Sequence, residues 1–173
     1  ERVLESDKID GRLVARAKII IARSDFWNGN YVKSSNLCNE IVNLTTNKDG
    51  SEAMYMKSYF TYLEEDYEKT EELIFFMAEK YSSNHWIAKG FILLSDVYIK
   101  LDNDYQAKAT LESVIENHNG EDVVNEAREK WENIIKRENE QVNVKKLDAT
   151  IEIGDTVDYE INYNELQIDI EAE

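Results

Sequence analysis

The chain has 173 residues, 36 acidic side chains against 20 basic ones, and a formal charge of −16. That charge repels phosphates, which argues against nucleic acid or an anionic membrane as a partner and leaves basic or neutral protein surfaces. The hydrophobic content of 42% supplies one core, proline is absent, and the single Cys38 excludes an intrachain disulfide and a cysteine-based zinc site.

In chain order, helical patterns are interrupted at Asn28-Gly29-Asn30, Asn47-Lys48-Asp49-Gly50, Glu64-Glu65-Asp66, Ser82-Ser83-Asn84, Asp102-Asn103-Asp104 and His118-Asn119-Gly120. Alternate interruptions lie about 36 residues apart, so each interval splits into two segments of about 15 residues. This predicts a helix–turn–helix unit repeated three times. Proline breaks helix interiors, so its absence suits long helices joined by tight turns.

The second helix of each unit carries one apolar stripe headed by a small residue. The stripes are Ser34, Cys38, Ile41 and Val42, then Thr70, Ile74, Met77 and Ala78, then Ala107, Leu111, Val114 and Ile115. Tyr31, Tyr67 and Tyr105 stand just ahead of them. One helix pair cannot bury both its faces, so the units are expected to stack in series. Residues 121 to about 138 form a further amphipathic helix, with Val123, Val124, Ala127, Trp131, Ile134 and Ile135 on one side. It is expected to cap the stack.

The pattern predicts an all-α repeat domain over 1–139, capping helix included, and an acidic tail over 140–173. From Leu147 to Glu173 there are nine acidic residues and no basic one. Ile151 and Ile153 alternate with polar residues, as do Val157, Tyr159, Ile161 and Tyr163, then Leu166, Ile168 and Ile170. Period-2 alternation predicts short strands, and unpaired strand edges invite self-association through residues 147–173. The start at Glu1 is taken as the start of a trimmed or mature piece of a longer protein.

In the third unit the run Trp86-Ile87-Ala88-Lys89-Gly90-Phe91-Ile92-Leu93-Leu94-Ser95-Asp96-Val97-Tyr98, followed by Asp104-Tyr105-Gln106-Ala107-Lys108-Ala109-Thr110-Leu111, resembles a tetratricopeptide-repeat (TPR) motif. More narrowly, about residues 50 to 136 look like the last repeats of a Bacteroidetes-type envelope TPR protein; the general likeness covers about residues 10 to 138. The resemblance gives Leu94, Ser95, Tyr98, Ala107, Leu111 and Val114 the motif's packing positions. Asn119 stands where the motif usually has proline, Ser34 and Thr70 replace its central alanine, and Asp25 replaces an aromatic. The family implies a TPR-like α-solenoid with further repeats upstream, a periplasmic or cell-envelope location, and no catalytic activity.

The same alignment puts particular side chains on the concave face lined by first helices. They are Arg16, Ile19, Arg23 and Phe26 in the first unit, Glu52, Tyr55, Tyr59 and Tyr62 in the second, and Lys89, Asp96 and Lys100 in the third. Tyrosines offer large amphipathic contact area with few rotamers to freeze, which suits capture of a protein partner. The stripe equally suits packing on a neighbouring helix or an upstream repeat. The four basic residues Arg16, Arg23, Lys89 and Lys100 are too scattered for a carboxylate clamp.

Catalytic signals are nearly absent. Only His85 and His118 exist, both beside turns, so a His-centred triad or multi-histidine metal site is not expected. Cys38 falls on an apolar stripe and is expected to be a buried, inert thiol. Asp102-Asn103-Asp104 opens like a calcium loop, but Ala107 and Ser113 occupy the glycine and glutamate positions. No apolar run approaches the roughly 18 residues of a membrane span. The expected function is a non-catalytic protein-interaction scaffold with no cofactor and no membrane insertion, or alternatively a solenoid end that self-associates through its tail.

Overall fold

The computed structural model describes residues 11–144, seven helices and, among the described residues, no strand. The helices are α1 (Gly11–Trp27), α2 (Tyr31–Val42), α3 (Lys48–Leu63), α4 (Tyr67–Lys80), α5 (Asn84–Lys100) and α6 (Asp104–Asn117), with α7 over residues 121–144. The chain divides into two compact units, residues 1–131 and 132–173. In the second, the described residues 132–144 are helical, with Ile134 buried and Val142 and Val144 exposed. The predicted strands of the tail lie outside the described residues. Helix continues through Val144, past the expected end near residue 138.

Within residues 1–131 the helices meet in order. Each helix from α1 to α5 packs on its successor, and in addition α1 meets α3 and α3 meets α5. The second helices α2, α4 and α6 make no such contact with one another. First helices therefore form a close inner row and second helices a splayed outer row, so the surface curves inward on the first-helix side.

The predicted stripes are buried in phase. Cys38 and Ile41, Ile74 and Met77, and Leu111 and Val114 are all buried. Small residues stand at equivalent positions on the two helices of each pair, Ala22 and Ser34, Ser58 and Thr70, Ser95 and Ala107, and all are fully buried. The replaced alanines are satisfied locally. Ser34 Oγ donates to the Ala22 carbonyl at 2.8 Å, and Thr70 Oγ1 to the Asp66 carbonyl at 2.8 Å. Each hydroxyl thus reaches the interior without an orphaned bond.

Each first helix ends in the same turn. Gly29, Glu65 and Asp102 have φ of 77°, 61° and 54°, at equivalent places in the three units. In each, the following residue's N–H reaches back five residues: Asn30 to Asp25, Asp66 to Thr61, Asn103 to Tyr98. This is a Schellman closure, which satisfies carbonyls the helix end would orphan. At the starts, Asp66 accepts from the Lys69 N–H and Asn103 from the Gln106 N–H.

One expected turn begins differently. Asn47 is the N-cap of α3, accepting from the N–H groups of Asp49 and Gly50, so Lys48-Asp49-Gly50 opens the helix. Gly50 lies so close to the Thr45 carbonyl that a Cβ there would stand 2.0 Å from its oxygen. Glycine is required by this approach of backbones.

Candidate functional site

The first-helix side carries an open recess of about 690 Å³ lined by Arg23, Phe26 and Trp27 of α1, Lys48, Glu52, Tyr55, Met56 and Tyr59 of α3, and His85, Trp86 and Lys89 of α5. Its floor is core. Phe26 and Tyr55 pack on the buried cluster of Ala15, Ile19, Ala22, Cys38, Ile41, Ala53, Met56 and Phe60.

Aromatic rings run across the recess from one unit to the next. Trp27 lies edge-on to Phe26 at 5.5 Å between ring centres, and Phe26 to Tyr59 at 5.7 Å. Tyr59 neighbours Tyr55 at 6.5 Å, Tyr55 neighbours Trp86 at 5.3 Å, and His85 stands edge-on to Trp86 at 5.1 Å. A branch continues through Tyr62 to Tyr67. Pairs in this range contribute roughly 0.5–1.5 kcal/mol each beyond burial, so the row stiffens the α1–α3–α5 surface.

Burial pushes the Tyr55 phenol up to about 12. The indole N–H of Trp86 is buried and has no acceptor among the described residues. Such a group costs roughly 1–3 kcal/mol when left unpaired.

Arg23 forms a two-toothed ion pair with Glu52, linking α1 to α3. Glu52 is almost fully buried while the Arg23 side chain is half-exposed. The bond to Glu52 raises the Arg23 guanidinium further above its usual range, against the opposing effect of burial. Two turns earlier on α1, Arg16 pairs with Asp49 at 3.2 Å.

Of the residues expected on the concave face, Arg23, Phe26, Glu52, Tyr55, Tyr59 and Lys89 line the recess together. Ile19 does not: it is fully buried beneath it, because its helix face also meets α2 and α3. Tyr62 joins the aromatic row without lining the recess. Arg16 is exposed and held by Asp49; Lys100 is exposed at the end of α5. On α5, Lys89 pairs with Glu126 of α7, and Asp96 accepts from Lys130 at 2.7 Å. Residues 121–131 thus cover α5 much as α3 covers α1. Trp131 adds an N–H bond to Glu112 of α6 at 2.9 Å.

Trp27, Lys48, Met56, His85 and Trp86 line the recess without having been singled out for it. Trp86 heads the quoted third-unit run, one helical turn ahead of Lys89 on the same side of α5, and that spacing was the available signal. Lys48 was hidden by its assignment to a turn.

Cys38 is buried, and desolvation pushes its thiol up to about 12, so the nucleophilic thiolate is disfavoured. Among the described residues no group of three His, Cys, Asp or Glu could hold a metal ion, and no helix is long and apolar enough to cross a membrane.

The fold belongs with TPR-like helical proteins. Among solved structures the chain is similar to that described as "Crystal structure of MamA", with a TM-score of 0.51 and 14% identity over 82% of this chain and 86% of that one. No protein-family profile matches the chain, and no curated protein matches it. The likeness carries the fold: a TPR-like helical solenoid.

Proposed function

We propose that the chain is a non-catalytic scaffold that holds a protein partner in the recess of its first-helix face. The observation that supports this most is the aromatic row from Trp27 to Trp86, which crosses three helices and remains open to an occupant. Tyrosine and tryptophan give large contact area at small entropic cost, and interface energy concentrates on such residues. A ligand that turns the Trp86 ring and offers an oxygen to its N–H recovers the cost of the orphaned donor. Lys48 lines the recess and can meet a carbonyl of the partner, while Arg23 and Lys89 are already paired with Glu52 and Glu126. No reaction is proposed, since nothing at the recess pairs a nucleophile with a base. The envelope location is proposed on the family resemblance alone, and fractionation of cells producing the natural protein tests it.

The experiment is site-specific photo-crosslinking in the producing cell. A photoreactive residue replacing Tyr59 is expected to trap a discrete adduct, which Trp86→Ala weakens while the helical spectrum is retained. The same residue at Glu79, on the outer row, is expected to trap none. Equal labelling at both places, or none at either, contradicts the recess assignment.

The second reading, self-association through residues 147–173, is favoured by the alternation of aliphatic and acidic residues there. Sedimentation of the chain ending at Gln141 against the whole chain separates the two. Loss of an oligomer with the Tyr59 adduct kept assigns the roles to different segments.

A further inference from the structure

Away from the recess, a second open groove of about 690 Å³ lies between the end of α2, α3 and α4. Its walls are apolar: Met54 and Leu73 are buried, and Phe76 is 46% exposed. Lys57 of α3 and Lys69 and Lys80 of α4 also line it, and Glu72 is the acidic residue among them. Three lysines against one glutamate give this groove a positive balance in a chain whose formal charge is −16.

The next unit has the same groove without that chemistry. There Phe91, Ser113, Asn117 and His118 stand at the places of Met54, Phe76, Lys80 and Tyr81, around a space of about 250 Å³. Lys57 and Lys69 have Leu94 and Gln106 as counterparts in the third unit, and Ile21 and Lys33 in the first, where Leu44 stands for Lys80. The three lysines therefore come together in the second unit alone. Leu94 is 1% exposed, as a packing position of the repeat should be. Lys57 brings an ammonium to that position, half-buried and with neither a hydrogen bond nor an ion pair among the described residues. A charge set into apolar surface in this way favours a carboxylate that shares its site. Lys69 and Lys80 pair with Glu72 and Glu79, but all four side chains are solvent-exposed, and such pairs hold little and yield to a better-placed anion.

We propose that this groove receives the acidic tail of a second copy of the chain, from within residues 147–173. The groove suits apolar side chains with carboxylates beside them, and the tail alternates the two in Asp158-Tyr159-Glu160-Ile161 and Ile168-Asp169-Ile170-Glu171. No basic residue in that segment opposes Lys57, so the two surfaces are complementary in charge as well as in hydrophobicity. Self-association through residues 147–173, the second reading on which this rests, then runs from tail to groove and not from tail to tail.

The test uses the whole chain. Light-isotope copies with a photoreactive residue in place of Phe76 are mixed with an excess of heavy-isotope copies lacking it. The expected adduct joins a light groove peptide to a heavy peptide from residues 147–173. The same residue at Glu79, which does not line the groove, is expected to trap none. In sedimentation, Lys57→Glu is expected to weaken association severalfold and Lys57→Arg to preserve it, both with the helical spectrum retained. A wholly light adduct, an adduct on another segment, equal labelling at Glu79, or a tail-dependent oligomer indifferent to Lys57→Glu would overturn the groove assignment and leave self-association standing. A chain that stays monomeric at every concentration would sink both.

Discussion

Glu65 and Asp102 hold left-handed backbone conformations that the first unit gives to Gly29. A non-glycine residue in that region costs roughly 1–2 kcal/mol, of which the extra freedom of glycine in the unfolded chain returns a part. Glu65→Gly and Asp102→Gly are therefore each expected to stabilise the protein by about 0.5–1 kcal/mol, read as a higher midpoint in urea. No change, or a loss, would show that these turns are not closed as described. Tyr55 supplies a pH dependence. Its phenol is raised from an ordinary value near 10 to about 12, so the folded state holds the proton that the unfolded state releases. Stability from this group is complete below about pH 10 and falls as pH rises from there through about 12. Tyr55→Phe is expected to flatten that part of the stability curve; an unchanged slope would mean that Tyr55 ionises freely. Residue by residue, Ser34 and Thr70 were readable as small crossing positions, since their hydroxyls cost nothing once bonded to Ala22 and Asp66 carbonyls. Ile19 was not readable as core, because a first helix in a stack has two buried flanks and the spacing alone does not say where they stop.

At the scale of helices, the link from α1 to α3 combines a buried carboxylate with a row of rings. Glu52 is almost fully buried against Arg23, and breaking such a pair leaves an uncompensated charge, although the half-exposed guanidinium lets water soften the loss. A double-mutant cycle with Arg23→Met and Glu52→Gln is expected to give a coupling of about 1–2 kcal/mol in urea unfolding. A coupling near zero would mean that α1 is held by its apolar face alone. The third unit replaces this device: Lys89 stands at the counterpart of Glu52 and reaches forward to Glu126. The second-helix stripes were legible because position, size and spacing all repeat, and each lies on a single buried face. The first turn of α3 was misread for a physical reason. Asn, Asp and Gly favour turns, but Asn47 also caps a helix and Gly50 fits a close backbone approach inside it. The length of α7 was hidden likewise, since polar residues after 138 carry no stop signal such as glycine or proline.

For residues 1–131 taken together, the arrangement follows from one fact: no helix pair here can cover both of its apolar sides. First helices close ranks, second helices splay, and the inward-curving side gathers aromatic rings from three successive units. The repeat period made the stacking legible from the sequence, whereas the recess depends on which rings meet across units, and contacts between units leave no spacing to read. Nuclear Overhauser contacts between side chains test this arrangement most directly. Cross-peaks are expected between the rings of Phe26 and Tyr59 and between those of Tyr55 and Trp86, with none between residues of α2 and α4. Cross-peaks joining α2 to α4, with the two ring contacts missing, would contradict it.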